Sequence, residues 1–108
     1  MTYDLEYLEK VRCEKQSKIL SQAIEKYGVE NQINMAIEEM SELIDVLCKH
    51  RRGRARVEEI AEEVADVTIM TEQLRMIIND LSATNTVDKK IKFKLDRLER
   101  RMKNGDFS

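Results

Sequence analysis

Apolar residues recur along this chain at helical spacing, in four runs separated by short polar breaks. The clearest run extends from about Glu30 to Arg52. There Ile33, Ala36, Ile37, Met40, Leu43, Ile44 and Leu47 follow the i, i+3, i+4, i+7 rule of an amphipathic helix. The first run predicts a helix from about Asp4 to Tyr27, with Leu5, Leu8, Val11, Ile19 and Ala23 facing inward and a weak point near Gln16-Ser17. Gly28 supplies its stop. A third helix is predicted from about Arg56 to Leu81, after a break at Gly53. The polar stretch Ser82-Ala83-Thr84-Asn85-Thr86 then leads to a fourth, from about Val87 to Lys103, with the stripe Ile91, Leu95, Leu98 and Met102 and a stop at Gly105. Alternation with period two is never sustained, so no strand is expected. The pattern predicts an all-α, four-helix bundle.

Composition agrees. The chain has 108 residues, 42% of them apolar and 37% charged, with no Pro, no Trp and three Gly. That length suits one domain, 1–108, with a modest core and an interface to further copies. The net charge of −2 argues against nucleic acid as a partner. No apolar run approaches the roughly 18 residues needed to span a bilayer, and Asp4, Glu6 and Glu9 charge the N-terminus too early for a signal peptide. A soluble cytoplasmic protein without a membrane partner is expected. Cys13 and Cys48 have no metal-ligand spacing and read as reduced thiols, Cys48 as a small buried hydrophobe.

The charge that changes this picture lies within the apolar runs. Two acidic clusters, Glu38-Glu39-Met40-Ser41-Glu42 and Glu62-Glu63-Val64-Ala65-Asp66, sit on the second and third helices. At about 100° per residue, Glu39 borders its helix's apolar stripe, with Glu42 beside Met35 and Val46. Glu38 and Asp45 turn toward the polar side. Glu63 falls amid Val67, Ile60, Met70 and Leu74, with Asp66 one step away and Glu62 turned outward. A buried carboxylate must protonate, pair or bind a cation. Four converging carboxylates repel one another unless metal neutralises them, and hard oxygen donors suit Mg²⁺ or Mn²⁺. Charge-rich helices also carry such pairs as ordinary solvated surface, so the spacing alone leaves both readings open.

At these residues the chain resembles the MazG-like all-α nucleoside triphosphate pyrophosphohydrolases, marked by EExxE followed by ExxD. Glu38-Glu39-Met40-Ser41-Glu42 and Glu63-Val64-Ala65-Asp66 match the two halves. The lead-in Ala36-Ile37 and the trailing Leu43-Ile44 and Val67-Thr68-Ile69 are also similar. The likeness covers roughly residues 27–81. It implies cleavage of a nucleoside triphosphate between the α- and β-phosphates, giving monophosphate and pyrophosphate, with Mg²⁺ as cofactor and Mn²⁺ able to substitute. Glu39, Glu42, Glu63 and Asp66 become metal ligands by motif position. Glu38 and Glu39 become catalytic, Glu38 by orienting the attacking water or holding a further metal. Homodimers or homotetramers are implied as well.

Cations that would meet the phosphates are Lys49, Arg51, Arg52 and Arg54 in and before the Gly53 loop, and Lys89, Lys90, Lys94 and Arg97 on the last helix. Lys49, Arg52, Lys94 and Arg97 are the leading substrate-binding candidates, although each taken singly also reads as solvated surface. His50 reads as a surface histidine. Met35, Met40, Met70 and Met76 read as core or interface. Tyr3, Tyr7, Tyr27, Phe93 and Phe107 are too scattered for a base-stacking platform. Phosphoribosyl-ATP pyrophosphatase and dUTP-directed enzymes are rival readings of the same motif style. A non-catalytic helical oligomerisation or regulatory module is the rival of a different class.

Overall fold

A computed structural model describes residues 5–105, and these form four α-helices with no strand among them. They are α1 (Leu5–Tyr27), α2 (Val29–Arg51), α3 (Val57–Ser82) and α4 (Thr86–Lys103). Asp4, Tyr3 and Phe107, and the side chains of Leu8 and Val11, lie outside the described residues. From Tyr27 to Lys103 the helix ends fall within a residue of the sequence pattern. The expected weak point at Gln16-Ser17 does not interrupt α1. Gln is a good helix former, and one Ser costs only about 0.5 kcal/mol against the strong formers around it.

The chain divides into two compact units, Met1–Leu74 and Arg75–Ser108, and α3 contributes to both. In the first, α1 and α2 meet through a single residue. Gly28 N–H donates to the Ile24 carbonyl at 2.9 Å and so closes α1, while its own carbonyl accepts from Gln32 N–H at 3.1 Å and so opens α2. Doing both requires φ +88° and ψ 151°, a region populated almost only by glycine. The two helices are in contact at this junction.

The turn from α2 to α3 is fixed by three local devices. Gly53 (φ +72°) donates to the His50 carbonyl at 2.9 Å, and Arg54 N–H reaches back to the Lys49 carbonyl at 2.9 Å. This paired closure is a Schellman motif, which satisfies the last carbonyls of α2. His50 Nδ1 lies 2.9 Å from the Ala55 carbonyl oxygen and ties the helix end to the loop. Arg56 N–H donates to Glu59 Oε2 at 2.7 Å, the backward half of a capping box at the start of α3.

Helices α2 and α3 run antiparallel in this unit. Gln32, near the start of α2, meets Gln73, late on α3: Gln32 Nε2 donates to Gln73 Oε1 at 2.7 Å, and both side chains are buried. Gln73 Nε2 in turn points at Met70 Sδ, 3.8 Å away. Ala36 and Met70 are buried nearby.

Much of the expected core is nevertheless open. Ile33, Ile37 and Ile44 are 40%, 59% and 63% exposed, and spacings of four and seven residues put them on one face of α2. Leu5, Ile19 and Leu47 are exposed too. Cys48, expected to be buried, is exposed, as is Cys13, and both thiols are free. Cys48 sits near the end of α2, beside Arg51 and Arg52 and four residues after Ile44 on the same open face.

In the second unit, Arg75 on the last turns of α3 pairs with Asp88 in the first turn of α4, and Asn79 Nδ2 donates to Asn85 Oδ1 at 3.3 Å. Ala83 takes φ +55° in the connector. The stripe Ile91, Leu95, Leu98 and Met102 on α4 is exposed along its length. No described helix is long and apolar enough to cross a membrane.

Candidate functional site

The antiparallel pairing sets the register in which acids from α2 face acids from α3. Carboxylate oxygens of Glu39, Glu63 and Asp66 lie within 4.8 Å of one another. Glu39 and Glu63 are half-buried, and each turns an inner oxygen, Oε2, into the protein where no hydrogen-bond partner meets it. Asp66 and Glu42 close the outer side of the cluster and are exposed.

Glu42 is close enough to act on both inner acids. Burial comes first in pushing the Glu39 carboxyl above its ordinary value near 4.5, followed by the charges of Glu42 and Asp66, a hydrogen bond with Glu42 and the charge of Glu63. Glu63 is raised by burial, then by Glu42 and Asp66, by a hydrogen bond with Glu42, and by Glu62. Every influence has the same sign, and no lysine or arginine offsets it. A hydrogen bond between carboxyl groups needs a shared proton, so the cluster by itself holds protons or requires a cation.

Those orphaned oxygens test whether metal fits. A buried carboxylate oxygen without a donor is costly unless a cation supplies its missing partner. The donors are all carboxylates, the set that suits Mg²⁺ or Mn²⁺ and not softer metals. Glu39, Glu42, Glu63 and Asp66 would hold the ion.

On one flank of the cluster, toward the Gly53 turn, lies a hollow of about 380 Å³ whose lining includes Glu42, Lys49, Arg54, Glu59 and Glu63. Lys49 Nζ is paired with Asp45 at 2.9 Å, and both remain exposed, so the ammonium is held over the hollow by a weak surface bridge. On the opposite flank lies a second hollow of about 600 Å³, lined by Tyr27, Asn31, Gln32, Met35, Glu38 and Met70 among others.

The sequence-derived residues therefore divide. Glu39, Glu42, Glu63 and Asp66 come together. Glu38 is exposed and lines the larger hollow, one residue along from the cluster. Lys49 stands on the opposite flank. Arg52 lines a separate hollow with Cys48 and Arg51. Lys94 and Arg97 belong to α4 in the second unit, the first exposed and the second half-buried.

Arg54 takes the flanking place for which Arg52 was the leading candidate. The Schellman turn reverses the chain after Gly53, and Arg54 is the first cation on the returning side. The Gln32–Gln73 pair was not foreseen at all. A signal existed: Gln32 is four residues from Ala36, and Gln73 lies three from Met70 and four from Ile77, so both fall on apolar stripes. In comparisons with known protein families, curated proteins and solved structures, the chain matches none.

Proposed function

We propose that the chain is a Mg²⁺-dependent nucleoside triphosphate pyrophosphohydrolase that releases a monophosphate and pyrophosphate. The observation that carries this reading is the pair of partnerless buried oxygens, Glu39 Oε2 and Glu63 Oε2, in a cluster where the carboxylates of Glu39, Glu63 and Asp66 converge from antiparallel helices with Glu42 close by. An acidic surface formed by chance has no reason to bury two of its oxygens without donors. The bound metal supplies charge neutralisation at the phosphate oxygens and at the attacking water.

The chain's own groups do the rest. Glu39, Glu42, Glu63 and Asp66 fix the cation between α2 and α3. Glu38, outside that set but adjacent to it, orients the water and accepts its proton. Water attacks the α-phosphorus, the bond from that phosphorus to the α–β bridging oxygen breaks, and the electron pair leaves with pyrophosphate. Lys49 and Arg54 line the hollow next to the cluster and meet the charge that builds on the leaving group.

The exposed row Ile33, Ile37 and Ile44 supports assembly into a homodimer or homotetramer, since a second copy would cover it. Two free, exposed thiols fit a reducing compartment such as the cytoplasm.

Incubation with a panel of ribo- and deoxyribonucleoside triphosphates and Mg²⁺, with product analysis, tests the reaction. Monophosphate and pyrophosphate in equal amounts are expected, and orthophosphate as the first product overturns the proposed cleavage. Titration of Mn²⁺ tests the site. The wild-type chain binds it and Glu63→Ala does not, whereas a non-catalytic bundle binds none in either form.

A further inference from the structure

The two hollows flanking the acids differ in chemistry, and the difference gives the groove a direction. The 380 Å³ hollow carries Lys49 and Arg54 among the carboxylates of Glu42, Asp45, Glu59, Glu62 and Glu63. The 600 Å³ hollow has no lysine or arginine in its lining; its single charged group is Glu38. Only the first therefore offers phosphate a cationic side chain, and with metal at the acids it is the phosphate side of the groove.

The larger hollow offers a flat apolar ligand what it needs. Met35 and Met70 supply polarisable, adaptable walls, and the Tyr27 ring supplies an aromatic face. Lys26 Nζ sits 5.6 Å from the centre of that ring and helps to hold it. Around these lie three amides, Asn31, Gln32 and Asn34.

Two of the amides are already oriented. Asn31 Nδ2 donates to the Tyr27 carbonyl at 2.8 Å, and because a carbonyl only accepts, the Asn31 nitrogen must face it. Gln32 Nε2 donates to Gln73 Oε1, whose own nitrogen points at the Met70 sulfur. Each amide has one of its two N–H groups engaged by the protein. Asn31 and Gln32 each keep a carbonyl oxygen and a second N–H, so the lining carries acceptors and donors.

Distance fits the same picture. Met35 lies one helical turn before Glu39 on α2, and Met70 one turn beyond Asp66 on antiparallel α3. Both place the hollow about 5 Å along the groove from the acids, the span of a ribose with its 5′ oxygen.

Resting on the pyrophosphohydrolase reading, we infer that this hollow seats the nucleobase. The nucleotide then lies along the α2–α3 groove with its base at the Asn31 end and its leaving pyrophosphate at the Lys49 end. The amides can pair with the polar edge of a base of any kind, so the seat favours a nucleotide over a bare polyphosphate.

Calorimetry with α,β-methylene analogues of ATP, GTP, CTP and UTP, and with inorganic tripolyphosphate, all in Mn²⁺, tests this. The four nucleotide analogues bind at least about tenfold more tightly than tripolyphosphate. Met35→Trp, which fills the hollow from an exposed position, and Asn31→Ala, which removes an amide from its lining, erase that advantage. Both leave Mn²⁺ and tripolyphosphate binding unchanged. Equal binding of all five ligands, or variants that keep wild-type selectivity, overturns the inference while leaving the metal site standing.

If the wild type binds no Mn²⁺, it is the pyrophosphohydrolase reading that fails, and a second arm still decides the seat. Adenosine 5′-monophosphate without metal shifts the side-chain amide NMR signals of Asn31 and Asn34 beyond the shifts caused by ribose 5-phosphate. Equal shifts overturn the seat.

Discussion

The buried Gln32–Gln73 pair makes a measurable claim about how α2 and α3 are held in register. Replacing Gln73 by Leu removes one amide and leaves Gln32 Nε2, in a side chain only 6% exposed, without its acceptor. A buried amide left unpaired costs about 1–3 kcal/mol. The reciprocal change, Gln32→Leu, strands Gln73 Oε1 at a position 3% exposed, at similar cost. The double variant strands neither, and leucine is close to glutamine in volume, so it unfolds near the wild-type midpoint. The coupling energy of the cycle is therefore about 2–6 kcal/mol in magnitude, the two single losses together.

Thermal and urea unfolding at one fixed protein concentration read this out. For a chain of this size each single variant lowers Tm by roughly 4–8 °C per kcal/mol, and the double variant recovers most of that loss. A double variant whose loss equals the two single losses combined would refute the reasoning. It would mean that the hydrogen bond carries no coupling and that the amides sit where they do for packing alone.

Three further outcomes follow from the same geometry. Gly28→Ala destabilises by about 1–3 kcal/mol; an added Cβ meets nothing within 4 Å there, so a structure of the variant shows no displaced neighbour and a loss of stability in urea is due to the backbone. In the metal-free chain, Glu39 and Glu63 bind protons more tightly folded than unfolded, so their stabilisation is full below about 4.5 and falls as pH rises through their raised values. A plot of Tm against pH then declines toward neutrality relative to Glu39→Gln/Glu63→Gln, and the opposite slope contradicts the burial of these acids. Ile44→Glu, on the open face of α2, weakens self-association at least about tenfold in sedimentation equilibrium while leaving the circular dichroism helical.

The helices were legible because their signals are local. The apolar period, Gly28, Gly53 and Gly105 placed the helix ends from Tyr27 to Lys103 within a residue, since periodicity and left-handed glycines act over one or two turns. The acids were legible for a related reason. Glu39 and Glu63 each follow from one helix's geometry, so the half-burial of both could be read without knowing how the helices meet. What could not be read was which cations stand nearby. Arg52 and Arg54 differ by two residues in sequence, and only the chain reversal at Gly53 sends one to the cluster's flank and the other to the far side with Cys48. The burial of Cys48 was misjudged because it shares a face of α2 with Ile37 and Ile44, and that apolar face is itself open.

The same distinction explains why the site lies between α2 and α3 and why its parts fall in the order they do. Antiparallel helices joined by a tight turn are in register from the turn outward, each step back along α2 matched by a step forward along α3. The Gly53 closure, the His50–Ala55 tie and the Arg56–Glu59 cap fix that turn. Once it is fixed, Lys49 must face the Arg54 side, Glu39 must face Glu63, and Gln32 must face Gln73, in that order along one groove. A slip of one residue along α3 would turn its side chains by about 100° and carry Glu63 away from Glu39. The buried glutamine pair at the far end opposes such a slip, because a register shift strands both amides at once. The acids can therefore be held at a spacing that disfavours them, with the turn fixing one end of the groove and the amide pair the other.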